Sequence, residues 1–275
     1  NIISDLSNYD LNSIPIIEVD ERIESDTELI ANGTYSPIRK FMNKDELNTV
    51  LNSNTIDGKN FWTMPILFQV DSKSCVNLPS NGQIILKSKT SKKIFCLFKI
   101  DKVEQLDNLN KIAKKWFGFD DLNHPGVKQF ISRGNYIISG KPYLIKKSDS
   151  SDVFNYALSP IKSRNLFNIY GWSDIIGFHT RNVPHQGHLF IQKKALSETN
   201  ADGLFISPVT GLKKSGDFTA NVILQCYEKL INNKEYDPYG ALIGSFNTYS
   251  RYCGPKEAVF TAICRKNLGC NYFIV

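Results

Sequence analysis

Three of the chain's four histidines, His179, His185 and His188, fall within ten residues of one another. They share the segment Gly177-Phe-His-Thr-Arg-Asn-Val-Pro-His-Gln-Gly-His188 with Arg181 and Asn182. Imidazole, guanidinium and carboxamide groups are all hydrogen-bond donors. A planar guanidinium suits a tetrahedral oxyanion. His185 and His188 are spaced so that both can lie on one face of a helix start, where backbone N–H groups and the positive helix end favour phosphate. Gly187 permits close approach of a ligand to the backbone. The chemistry suggested is the holding of an anion and the neutralisation of its charge. A zinc site built on His185 and His188 is a competing reading, but no Cys, Asp or Glu stands nearby at ligand spacing and the HExxH glutamate is absent. Plain surface histidines are a second alternative; the adjoining Arg and Asn weigh against it.

These residues need a strand to deliver the loop and a helix to receive it. Ile175–Phe178 predicts that strand and His188–Glu198 that helix. The rhythm continues with a strand at Gly203–Val209, a helix over Asp217–Asn232 with Asp217 as its cap, and a strand at Ala241–Phe246. A helix at Lys256–Asn267 and a strand at Asn271–Val275 complete it. Strands alternating with helices predict a parallel α/β sheet. Ligands in such sheets bind beyond the carboxyl ends of the strands, so the loops after Phe178, Ile206, Phe246 and Val275 are the ones of interest.

The first half reads differently. Strands are expected at Phe61–Val70, Gln83–Leu86 and Lys93–Ile100, with turns at Leu78–Gly82 and Ser88–Lys92. Helices are expected at Lys44–Leu51, capped by Asn43, and at Asn108–Phe117. The mixture predicts a small β-barrel-like domain decorated by helices. The polar stretch Asp149–Asp152 opens a connector running to Tyr170. His124, in Asn-His-Pro-Gly, reads as a turn residue.

At 275 residues the chain suits two domains. With 41% hydrophobic and 22% charged residues it is compositionally globular rather than disordered. No apolar run is long enough to span a membrane, and Asn1–Asp10 does not read as a secretory leader. Six scattered cysteines without a CxxC pair predict reduced thiols and a cytoplasmic protein. Residues 1–150 hold 20 basic against 18 acidic side chains, and residues 151–275 hold 13 against 9. Neither half demands nucleic acid, and the excess in the second suits an anionic ligand. Lys87, Lys89, Lys92 and Lys93 read as a solvated hairpin rim; no aromatic interleaving supports RNA binding.

The string from Phe178 to His188 resembles the Gln-Thr-Arg-Asn-Pro-x-His-x-x-His signature of the ATP sulfurylase (sulfate adenylyltransferase) family, within the HxGH nucleotidylyltransferases. Four further segments resemble that family in the same order: Ile30–Met42, Asn123–Val127, Ser207–Asp217 and Ser250–Ala258. The resemblance implies a PUA-like β-rich domain over 1–158. It implies a Rossmann-like nucleotidylyltransferase domain over 159–275, truncated at its C-terminal end. It implies transfer of AMP from ATP, with Mg²⁺, to sulfate, giving adenosine 5′-phosphosulfate and pyrophosphate, by in-line attack without a covalent intermediate. Arg181 and His179 would hold sulfate. Asn182, His185 and His188 would act on the ATP phosphates, and Arg181, Asn182, His185 and His188 would be the catalytic set. Thr180, Gly187, Gly211, Asp217 and Arg251 would complete the nucleotide site, with Phe246–Cys253 lining it. The family commonly forms homo-oligomers, dimers or larger.

Departures from the signature qualify these expectations. His179 stands where the family has Gln, the proline is displaced to Pro184, and Lys40 replaces a Gly. The family's Gly-Arg-Asp-His-Ala-Gly loop would follow Val275, where the sequence stops. A fragment, a truncated variant and completion by another chain are the three expectations this raises. An adenylyltransferase acting on another oxyanion, and a catalytically silent nucleotide-binding homologue, are the alternative functions.

Overall fold

A computed structural model of the chain describes residues 2–3, 13–75, 78–79, 82–145, 156–213 and 216–275. Two compact units emerge: Asn1–Lys147 with Ser250–Phe260, and Ser148–Tyr249 with Thr261–Val275.

The first unit is built on a six-stranded mixed sheet. Its strands are β1 (Ile2–Ile3), β2 (Ile16–Val19), β3 (Gln69–Val70), β4 (Gly82–Ser88), β5 (Ile94–Gln105) and β6 (Tyr136–Ile145). They run in the order β1-β6-β5-β4-β2, with β3 also on β6. The long antiparallel pairs β4–β5 and β5–β6 form the body. The helices are α1 (Glu21–Ala31), α2 (Lys44–Ser53), α3 (Ser72–Cys75), α4 (Leu109–Phe117) and α5 (Pro125–Ile131). Asn43 and Glu46 form the capping box that starts α2, and Asn108 caps α4. His124 caps α5, accepting from the Val127 N–H at 3.4 Å, with Pro125 at the first helical position. The strand expected over Phe61–Val70 reduces to Gln69–Val70. Pro65 lacks an amide donor, and Trp62, Met64 and Ile66 are fully buried in an extended run outside the sheet. Asp149–Asp152 and part of Leu78–Gly82 lie outside the described residues.

The second unit carries β7 (Ile175–Thr180), β8 (Gly203–Pro208), β9 (Gly240–Ile243) and β10 (Tyr272–Ile274), all parallel, in the order β10-β7-β8-β9. Its helices are α6 (Pro160–Ile169), α7 (Gln186–Thr199) and α8 (Ala220–Asn232). A further helix, α9 (Pro255–Leu268), begins among the residues of the first unit and ends among those of the second. Alternation along the strands sorts the core into two layers. Ile176, Phe178, Leu204 and Ile206 pack with Leu196 of α7 and with Ile223, Leu224 and Tyr227 of α8. Ile175 and Phe205 pack with Phe167 of α6 and Leu268 of α9. Helices thus cover both faces of a doubly wound sheet.

Two expectations are corrected here. The supposed connector before Tyr170 contains α6, started by Ser159 as cap and Pro160 at its first turn. Thr219, not Asp217, caps α8, because its hydroxyl accepts from the Val222 N–H.

Candidate active site

Chain order places the site. From β7 the chain winds outward to β8 and β9, then returns to set β10 on the opposite side of β7. The direction of winding therefore reverses between β7 and β10, and it is beyond the carboxyl ends of strands at such a switch point that open α/β sheets bind ligands. The histidine loop leaves β7 at that point and enters α7.

Thr180, the last residue of β7, shapes the loop from within. Its hydroxyl accepts from the Asn182 N–H at 3.1 Å and lies 3.3 Å from the Asn182 carbonyl. It is buried and directed inward, whereas Asn182 and His185 are exposed and Arg181 half-buried. His185 occupies the cap of α7, its Nδ1 accepting from the His188 N–H at 3.4 Å. The two imidazoles stack, centroids 3.8 Å apart at 24°. Burial, then the neighbouring His185, holds the His188 pKa below its ordinary 6.5, against a hydrogen bond with Val183 that works the other way. His188 is therefore mainly neutral at pH 7. Behind it, the Tyr227 hydroxyl lies 3.5 Å from His188 Nδ1. Burial raises the Tyr227 pKa to about 12, so this group remains a phenol.

Lys213 ties the loops together. Its ammonium donates to the Val209 carbonyl at 2.6 Å and lies 3.5 Å from the Arg181 carbonyl. Burial lowers its pKa, partly offset by Asp217. Gly211 presses against the backbone of Thr248, so that a Cβ there would collide with the Thr248 carbonyl. The loops after β8 and β9 can approach this closely only with glycine at 211. Gly187 sits under the His185 ring, where a Cβ would come within 3.1 Å of it.

His179 receives a hydrogen bond from the Arg265 guanidinium, Nη2 to Nδ1, at 2.7 Å. Burial, reinforced by the Arg265 and Lys213 cations, holds its pKa well below 6.5. His179 is consequently neutral and adds no charge to the site.

Arg251 belongs to the first unit. It is buried there, paired with Asp26, donating to the Tyr35 hydroxyl at 2.9 Å, and lying 5.2 Å from the centre of the Phe260 ring. The histidine loop, Gly211, Lys213 and Asp217 all belong to the second unit. Among the described residues, no group of three or more His, Cys, Asp or Glu is gathered as a metal site.

Arg265 and Tyr227 escape the motif-based reading. A signal for Arg265 existed: Phe260, Thr261, Cys264, Arg265 and Leu268 share the helical phase of a buried stripe. An arginine in that phase points to a specific partner.

A family model described as ATP-sulfurylase matches residues 155–275, and one described as PUA-like domain matches residues 5–147. A sulfate adenylyltransferase of Cenarchaeum symbiosum is 31% identical over 275 residues, covering 100% of this chain and 71% of the relative. One of Ignicoccus hospitalis is 38% identical over 261 residues, covering 94% and 66%. The chain thus spans about two thirds of the length of these curated relatives. Among solved structures, a hexameric APS kinase from Thiobacillus denitrificans superposes with a TM-score of 0.75 at 16% identity, covering 96% of this chain and 48% of that one. That likeness shows a shared fold.

Proposed function

Since the chain belongs to the ATP-sulfurylase (sulfate adenylyltransferase) family, with a PUA-like domain preceding its α/β unit, we propose that it transfers the adenylyl group of MgATP to sulfate. The products are adenosine 5′-phosphosulfate and pyrophosphate. One observation carries this reading. The Arg181–His188 loop leaves the carboxyl end of β7 at the switch point of the sheet and presents Arg181, Asn182 and His185 to solvent at the start of α7.

Sulfate is a dianion at neutral pH, so no base is required to activate it. It is a weak nucleophile and must approach an anionic phosphate, so the chain's contribution is positioning and charge neutralisation. Arg181 and His179 hold sulfate. Asn182, the two histidines and the first amides of α7 hold the polyphosphate. A sulfate oxygen attacks the α-phosphorus as the bond to the bridging oxygen breaks. That oxygen takes the electron pair and leaves with pyrophosphate, and no enzyme-bound intermediate forms. His185 and His188 stabilise the charge gathering on the leaving group. Gly211 and Asp217 border the nucleotide. Magnesium arrives as part of the nucleotide substrate. The reading includes a cytoplasmic homo-oligomer, in keeping with six cysteines that form no disulfide. No helix among the described residues is long and apolar enough to cross a membrane.

The test mixes the chain with MgATP, sulfate and pyrophosphatase and measures adenosine 5′-phosphosulfate, together with the reverse reaction. Product formation that responds to sulfate supports the reading. Absence of product in both directions, from chain shown to bind ATP, refutes it.

A further inference from the structure

Arg265 is fully buried, yet its guanidinium has a defined set of neighbours. One Nη2 donates both to His179 Nδ1 at 2.7 Å and to the Ser207 carbonyl at 2.9 Å. Its Cζ lies 4.0 Å from the centre of the Phe246 ring. Its stem crosses β7 where Gly177 leaves room: a Cβ at 177 would stand 3.0 Å from Arg265 Cγ. A guanidinium has donors and no acceptor. The imidazole nitrogen facing it must therefore carry a lone pair, and the proton of neutral His179 resides on Nε2, across the ring from Arg265.

We propose that Arg265 is a positioning residue for the oxyanion subsite, locking His179 as the neutral Nε2–H tautomer so that it offers one directed donor and no charge. The proposal rests on the reading of His179 as a sulfate contact. The charged groups acting on His179 are Arg265 from α9 and Lys213 from the loop after β8, both cations. Protonating His179 would set a third positive charge against them and turn an N–H toward the Arg265 donor. Recognition by His179 is thus constant across the neutral pH range, and the charge that attracts the oxyanion comes from Arg181. A glutamine at 179 would offer the same pair of atoms, an oxygen to accept from Arg265 and an Nε2 to donate. His and Gln are therefore interchangeable at this position provided Arg265 is present.

With only four histidines in the chain, ¹⁵N-labelled imidazoles are assignable by single His→Gln replacements. The wild-type chain is titrated from pH 5 to 8, then with sulfate in the presence of a non-hydrolysable ATP analogue. The expected spectrum shows His179 as Nε2–H throughout, with that resonance moving on sulfate addition. Arg265→Met is expected to release the tautomer and raise the KM for sulfate about tenfold, the loss of one well-placed donor, with kcat changed less than about threefold. A pH dependence near 6.5 should appear in that KM. Arg265→Lys, which keeps a donor, should recover part of the loss, and His179→Gln should retain a low, pH-independent KM. Should Arg265→Met not fold, the wild-type spectrum and His179→Gln decide alone. A titrating His179, an Nδ1–H tautomer, or a locked tautomer indifferent to sulfate overturns the proposal. A locked, sulfate-responsive His179 in a chain that makes no product sustains it and refutes only the catalytic reading.

Discussion

Removing Asp26 from beneath Arg251 gives a direct measure of what that arginine does. Asp26 is 1% exposed and Arg251 5%, and they form an ion pair through Nη2 and Oδ1. The second contact, Nη1 to Oδ2, is 3.4 Å. Tyr35 donates to Asp26 at 3.0 Å and accepts from Arg251 at 2.9 Å, closing a triangle of buried polar groups. The Glu257 carboxylate accepts from the amides of Arg251 and Cys253, at 2.8 and 3.1 Å, and so fixes the turn that carries the arginine. Replacing Asp26 with Leu leaves the guanidinium buried beside apolar side chains, which costs about 3–5 kcal/mol. At about 2–4 °C per kcal/mol for a unit of this size, the melting midpoint should fall by about 6–20 °C. Arg251→Met should cost a similar amount. The double variant should be less damaging than the sum, because no charge is left stranded. Differential scanning calorimetry and a urea series on the four proteins make the cycle, with the KM for ATP measured below the melting range. A cost under about 1 kcal/mol for Asp26→Leu, or a tenfold rise in ATP KM for Arg251→Met at unchanged stability, would refute the reasoning that Arg251 serves stability alone.

Three further outcomes are expected. His185→Ala and His188→Ala should each lower kcat by about 10²–10³-fold, as the removal of a donor to developing charge does, with melting midpoints shifted little; equal effects on stability and rate would argue against a catalytic role. Because the folded-state pKa of His179 is depressed, the unfolded chain binds more protons between that pKa and about 6.5. Its contribution is therefore complete above about pH 7 and is lost as pH falls below 6.5, at up to about 1.4 kcal/mol per pH unit; urea denaturation at stepped pH should show this slope in the wild type and a shallower one in His179→Gln. Gly211→Ala should force the loops after β8 and β9 apart at Thr248, costing about 1–3 kcal/mol and raising the ATP KM; an unchanged midpoint and KM would mean the contact is slack.

The parts of the fold legible in the sequence are those written in local chemistry. Asn43, paired with Glu46 inside the helix, and Asn108 stand immediately before α2 and α4 and cap them. The short apolar runs at Ile175 and Gly203 mark strands buried on both faces, and the run at Asn271 marks the shorter, partly exposed β10. Legibility fails where tertiary contacts override local pattern. Trp62 to Phe68 looks like a strand because nearly every side chain is apolar. It is buried for packing, not for pairing. In α6 the apolar signal is thin, since only Ser163 and Phe167 are buried, although Ser159-Pro160 carried a helix-start signature. Within the site, the histidine loop stands out because it is contiguous. Arg265 does not, because its partner in β7 is 86 positions away. The neutrality of His179 follows from that distant contact and from burial, neither of which a motif encodes.

The strand order has a consequence for how the molecule comes to exist. β7 emerges early among the strands of its sheet, but one of its two edges is covered only when β10 arrives. Until Tyr272–Ile274 are synthesised, the amides and carbonyls of a strongly apolar strand stay open to pairing with other chains. Arg265, which disciplines His179, also arrives late. A nascent chain therefore carries the histidine loop long before it carries the arginine that holds His179 in place. Completion of the sheet edge and maturation of the site become one event, and chaperone capture at this stage would guard against aggregation while the unfinished loop is exposed.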